Sequence, residues 1–122
     1  MYYKTNQDYL EGQWFQLSTV DDVRNEPATG AVVALDPATG NTKWRFEMVN
    51  EPSAGMLATA GGLVFTGDHF GYVIALDART GKLVWRFQAG GTVVAPPITY
   101  AVDGKQYVAV AAGNTVMAFA IR

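Results

Sequence analysis

One phrase occurs twice in this chain, 41 residues apart, and it restricts the fold more than anything else in the sequence. Ala34-Leu35-Asp36-Pro37-Ala38-Thr39-Gly40-Asn41-Thr42-Lys43-Trp44-Arg45-Phe46 returns as Ala75-Leu76-Asp77-Ala78-Arg79-Thr80-Gly81-Lys82-Leu83-Val84-Trp85-Arg86-Phe87. Ala, Leu, Asp, Thr, Gly, Trp, Arg and Phe recur in register. A fixed period of this size is the mark of a repeat architecture, in which each unit buries its apolar face only against its neighbours. Each copy reads as strand, tight turn, strand. Residues 31–36 and 72–77 are rich in β-formers. The Asp carboxylate suits backbone N–H groups just ahead of it, and the Gly of Thr-Gly takes a positive φ at no steric cost. Each second strand carries a tryptophan, a large ring that needs a neighbouring sheet to cover it. A repeated hairpin in an ordinary sandwich is the competing reading of the same pattern.

The rest of the chain extends this pattern. Residues 42–47, 56–60, 63–67, 83–88, 98–101, 106–111 and 115–121 are expected strands. Gly61-Gly62, residues 102–105 and Gly113-Asn114 are expected turns. Val116-Met117-Ala118-Phe119 echoes Val73-Ile74-Ala75-Leu76. The first four residues read as a short strand. Residues 5–30 are the least regular part, with residues 13–17 as a strand or packed loop and residues 21–27 as a solvated surface excursion. No convincing helical period is present. The expected fold class is all-β, built of antiparallel four-stranded blades. The first blade, residues 1–50, has three strands and a long loop. The second, residues 51–91, is complete, and the last, residues 92–122, has three strands. Two to three blades cannot close a ring, and their bare end faces call for a partner.

The repeat resembles the tryptophan-docking motif of the pyrroloquinoline quinone (PQQ) dehydrogenase propellers, Ala-x-Asp-x-x-Thr-Gly-x-x-x-Trp, at every fixed position in both copies. Ala58-Thr59-Ala60-Gly61-Gly62-Leu63-Val64-Phe65 and Asp103-Gly104-Lys105-Gln106-Tyr107-Val108-Ala109-Val110 are similar to phrases from the C-terminal end of quinoprotein alcohol dehydrogenases. The docking motif alone marks a wider group that includes outer-membrane-assembly propellers. The resemblance implies a sector of an eight-bladed propeller, a periplasmic location, and PQQ with calcium or a lanthanide in the full family protein. It also implies completion by the remaining blades or by copies of this chain, for example four copies supplying two blades each.

The resemblance places two segments against the cofactor. Ser53, Ala54 and Gly55 stand where the family commonly has a tryptophan followed by small residues. Gly113 and Asn114 stand where it commonly has Gly-x-Gly-Gly. The tryptophan is missing from the first, which removes a flat wall for a quinone; the second also lacks the tryptophan the family commonly has at x, a departure that some family branches share. No stretch matches the family's catalytic-aspartate region, so no catalytic residue and no metal ligand is assigned. Asp36, Asp77 and Asp103 have turn roles. His69 is a lone histidine in a polar loop, and one histidine makes neither a metal site nor a triad.

Composition excludes further classes. The 122 residues carry a formal net charge of −2, with no basic footprint for nucleic acid. There is no cysteine, hence no disulfide or thiolate site. Apolar residues make up 49%, sufficient for packed cores, yet no apolar run is long enough for a spanning helix. No signal-peptide pattern opens the chain. The leading expectation is a propeller fragment supplying structure and part of a cofactor wall. The alternatives are a non-catalytic scaffold for protein binding, and a ring of copies around a pocket for an unrelated ligand.

Overall fold

Both copies of the repeated phrase fold into the same turn. Asp77 N–H donates to the Lys82 carbonyl at 2.8 Å and Gly81 N–H to the Asp77 carbonyl at 2.8 Å. In the first copy Asp36 N–H donates to Asn41 at 2.8 Å and Gly40 N–H to Asp36 at 2.7 Å. The strand pairing slips at the same place in each, between Ala34 and Leu35 and between Ala75 and Leu76. The slip leaves Ala34 opposite Trp44 and Ala75 opposite Trp85. A small residue facing each indole explains why Ala belongs to the repeated phrase, and the local bulge re-aims the ring.

The computed structural model describes residues 2–4, 8–12, 18–20 and 29–121. They are all-β: β1 (Tyr2–Lys4), β2 (Ser18–Val20), β3 (Gly30–Leu35), β4 (Thr42–Met48), β5 (Leu57–Ala58), β6 (Leu63–Gly67), β7 (Tyr72–Asp77), β8 (Leu83–Gln88), β9 (Ile98–Val102), β10 (Lys105–Ala112) and β11 (Thr115–Ala120). Every pairing is antiparallel. Four sheets result: β1–β2, β3–β4, the four-stranded β5–β6–β7–β8, and the three-stranded β9–β10–β11.

The expected strands recur with shifted ends. The clearest shift is β5, which keeps only Leu57–Ala58 of the expected 56–60. The first blade differs more. β3 and β4 pair as two strands, and β1 pairs with β2 in a separate sheet. β2 lies inside the stretch read as irregular, because three residues are too few to show a period of two. The expected element at residues 13–17 and the loop at 21–27 lie outside the described residues.

Two cores form, and β7 serves both. Side chains alternate across a strand. Val73 and Ala75 join Phe65, Val93, Val108 and Val110 against β9–β11. Ile74 and Leu76 join Val32 and Met48 against β3–β4. Val73 and Leu76 are fully buried. A strand covered on both faces reads as an unbroken apolar run, as Tyr72-Val73-Ile74-Ala75-Leu76 does.

The two indoles end differently. Trp44 is half-buried against the second core. Its Nε1–H donates to the Ala78 carbonyl at 2.8 Å. Its ring lies on the Cα of Gly81, where a Cβ would come within 2.5 Å of Trp44 Cε3 and where φ is +71°. Both the close approach and the positive φ demand glycine. Trp85 is 36% exposed. It stacks on Phe87 at 6.1 Å and meets Phe119 edge-on at 5.0 Å. The expectation that both rings are buried between sheets therefore holds better for Trp44 than for Trp85. The turn that covers Trp44 belongs to the β7–β8 hairpin, and the β9–β11 sheet has no equivalent hairpin beyond β11 among the described residues.

Candidate functional site

Antiparallel connectivity sends the links between strands alternately to two ends of the sheets. The turns at residues 36–41, 59–62, 78–82 and 103–104 gather at one end, where Ala78 N–H donates to the Gly62 carbonyl at 2.8 Å. The longer segments 49–56 and 89–97, with the loops 68–71 and 113–114, gather at the other. All five residues singled out from the sequence lie on this second end.

Backbone bonds tie its loops together. Asp68 is the centre, 4% exposed. Its Oδ1 accepts from the N–H groups of Phe70 at 3.0 Å and Tyr72 at 2.9 Å, and its Oδ2 accepts from Asn50 Nδ2 at 2.8 Å. Its carbonyl accepts from Gly71 and Val93, each at 3.2 Å. A carboxylate this deep persists only when it is fully hydrogen-bonded, and this one is. Pro52 forms a bridge to Asp68, and His69 N–H donates to the Glu51 carbonyl at 3.2 Å.

Ser53 Oγ donates to the Val93 carbonyl at 2.8 Å, fixing the 49–56 segment to the 89–97 segment. Ala54 packs on the larger core. The Gly55 carbonyl accepts from Thr66 Oγ1 at 3.2 Å. A Cβ on Gly55 would meet Pro96 Cβ at 2.8 Å, so only glycine lets these two segments approach. Gly113 N–H donates to the Thr92 carbonyl at 2.9 Å. Asn114 is exposed. Ser53 and Gly55 thus meet the 89–97 segment at Val93 and Pro96, and Gly113 meets it at Thr92, with the exposed Asn114 next in the chain. The sequence singled out neither Asp68 nor Val93, although together they knit the loops. The only signal was turn chemistry in Gly67-Asp68-His69-Phe70-Gly71, an Asp followed three residues on by Gly.

These residues offer a surface of small side chains and backbone amides. A planar quinone bearing carboxylates needs a flat face to lie on and cations to meet its charge. These five residues bring neither an aromatic face nor a cationic side chain. No group of three or more His, Cys, Asp or Glu among the described residues could hold a metal ion. His69 is exposed, its ring edge-on to Phe70 at 6.2 Å. No helix among the described residues is long and apolar enough to cross a membrane.

Two clefts flank the central sheet. One, of about 340 Å³, lies between β4 and β7–β8 and is lined by Phe46, Glu47, Asn50, Asp68, Tyr72 and Arg86. The Arg86 guanidinium sits 5.1 Å above the Tyr72 ring. The other, of about 510 Å³, lies between β8 and β11 and is lined by Phe65, Val84, Trp85, Val108, Phe119 and Ile121.

Comparison with known proteins gives a consistent picture. Residues 28–122 match a PQQ-repeat family model described as outer membrane protein assembly factor BamB. The chain is 42% identical over 111 residues to the quinoprotein alcohol dehydrogenase PedE of Pseudomonas putida, covering 91% of this chain and 17% of that protein. Its fold superposes on the quinohemoprotein alcohol dehydrogenase of Comamonas testosteroni with a TM-score of 0.67 and 38% identity, over 80% of this chain and 14% of that one. It superposes on BamB of Moraxella catarrhalis with a TM-score of 0.62 and 25% identity, over 75% of this chain and 27% of that one. The chain therefore spans less than a fifth of the length of these dehydrogenases.

Proposed function

The chain belongs to the PQQ-repeat β-propeller family, in the part of it that resembles quinoprotein alcohol dehydrogenases, and from that premise we propose that it is a C-terminal sector of such a propeller. Its role is to supply blades and a portion of the cofactor wall, in a protein that passes hydride from an alcohol to PQQ. In this reading residues 1–50, 51–91 and 92–122 are an incomplete, a complete and an incomplete blade of an eight-bladed ring. Trp44 docks its blade onto the next one. Ser53, Ala54, Gly55, Gly113 and Asn114 face the cofactor. The catalytic base, the carboxylate clamp and the calcium or lanthanide ligands come from other blades. Copies of this chain would complete the ring without bringing those groups, so in this reading they come with the rest of the propeller, in the periplasm.

The observation that carries the reading is the bonding of residues 53–55, 92–93 and 113 into one surface, at the end of the sheets where the long inter-sheet segments gather. A chimera tests it. Residues 28–122 replace the matching stretch of the Pseudomonas putida relative, and PQQ absorbance and dye-linked alcohol oxidation are followed. Retained PQQ binding supports the wall role. A folded chimera that binds no PQQ favours the other reading, a scaffold for protein interaction. Light scattering of the chain alone separates the two ways of completing the ring, because a stable, soluble monomer removes self-assembly.

A further inference from the structure

The repeat changes one charge between its copies, and the change falls beside a cleft. Trp44-Arg45-Phe46-Glu47 returns as Trp85-Arg86-Phe87-Gln88, with an amide where the first copy has an acid. The geometry points to a ligand site in the cleft between β4 and β7–β8. Its anchor is Arg86, and its ligand is a small monocarboxylate with an aryl or branched apolar body. The site holds none of the five residues assigned to the cofactor surface, and it does not depend on that reading.

Three observations carry the inference. First, Arg86 is a cation without a carboxylate. Arg45 is paired with Glu47, two positions on. Gln88, the matching residue of the second copy, is neutral and engaged elsewhere. Its Nε2 donates to the Phe70 carbonyl at 3.2 Å, and its Oε1 accepts from Gly90 N–H at 2.9 Å. Among the described residues the ion pairs are Lys43–Asp36 and Arg45–Glu47, and Arg86 belongs to neither. Second, Arg86 is aimed at the cleft. It stands opposite Ile74 in the β7–β8 ladder, and cross-strand partners share a face. That face looks toward β3–β4, because Ile74 packs with Val32 and Met48. The guanidinium lies over the Tyr72 ring, 5.1 Å from its centroid. A ring against its flat face leaves the in-plane N–H groups free, and these form the fork that matches a carboxylate. Third, the rest of the cleft suits a hydrocarbon. Phe46, Ile74 and Leu83 give an apolar wall to a space of about 340 Å³. Ligand pockets of roughly 300–1,000 Å³ are of this kind, mostly apolar with a few placed polar groups. The two acids that border the cleft are already engaged. Glu47 alternates with Phe46 and Met48 along β4, and Arg45 holds its carboxylate. Asp68 has both oxygens bonded, to Phe70, Tyr72 and Asn50.

Benzoate is the probe, titrated into the whole chain and followed by proton–nitrogen NMR. It should bind saturably with a Kd below about 10 mM, the affinity that ordinary ligand efficiency gives a molecule of this size. The Arg86 Nε–H resonance and the amides of β4, β7 and β8 should move together. Benzyl alcohol keeps the ring without the charge, and acetate keeps the charge without the ring. Each should bind at least tenfold more weakly than benzoate. Arg86 is exposed, so its replacement leaves the packing of the sheets in place. Arg86→Gln should weaken benzoate at least tenfold, and Arg86→Lys, which keeps the charge but not the fork, about threefold or more. Lys105 is the control. Its Nζ also sits over a tyrosine, Tyr107, at 5.9 Å, but it lines neither cleft. Lys105→Gln should leave the affinity unchanged. No saturable shift up to about 100 mM benzoate, ten times that Kd, overturns the inference. Equal affinity for benzyl alcohol overturns it, and so does undiminished binding by Arg86→Gln. An equal loss in Lys105→Gln also overturns it, by reducing the effect to general surface charge.

Discussion

Single residues account for the repeated phrase. Asp77 Oδ1 accepts from Arg79 N–H at 2.9 Å, Thr80 N–H at 2.8 Å and the Thr80 hydroxyl at 3.0 Å. Those bonds, the Thr80 amide first and its hydroxyl next, hold the carboxyl below its ordinary value of 3.8, with the Arg79 amide and charge adding to them. The native state thus resists protonation more than the unfolded chain does. The stabilisation is complete above the unfolded value and is lost as the pH falls through the lower native one. Urea midpoints at pH 7 and at about pH 3 should differ less in Asp77→Asn than in the wild type. The tryptophans provide a second prediction. Trp44→Ala removes a half-buried ring and its hydrogen bond and should cost about 2–4 kcal/mol in the isolated chain. Trp85→Ala, from a more open site, should cost about 1–2 kcal/mol. Equal losses in denaturant titrations would remove the distinction between the two sites.

At the scale of elements, β7 and the loop that follows β6 organise the rest. β7 divides its side chains between two cores, so truncating neighbours on it should loosen different partners. Val73→Ala should speed amide exchange in β10, whose Val108 and Val110 share its core, and Ile74→Ala in β3, whose Val32 shares the other. Each change should cost about 1–4 kcal/mol. Identical exchange maps for the two variants would refute the division. Much of this level was readable from the sequence. The hairpins follow from Asp-x-x-Thr-Gly, and the β9–β10 turn follows from Asp103-Gly104, both of which take positive φ, 50° and 74°. β2 was not readable, because a three-residue strand exists through its partner and not through its own pattern. Nor was the part played by Asp68, whose bonds to Asn50 and Val93 span 18 and 25 positions of sequence.

For the whole molecule, local pattern and three-dimensional assembly divide the work cleanly. The sequence by itself determined that this is a chain of repeated antiparallel hairpins, because turn chemistry, strand periodicity and the 41-residue offset are properties of neighbouring residues. It also determined which family the hairpins resemble. Tertiary structure alone decided which tryptophan is covered and that Ser53 and Gly113 meet residues 92–93. Those facts depend on what lies across a gap in space, and burial of a ring or pairing of a strand is a property of two segments that no single stretch of sequence contains.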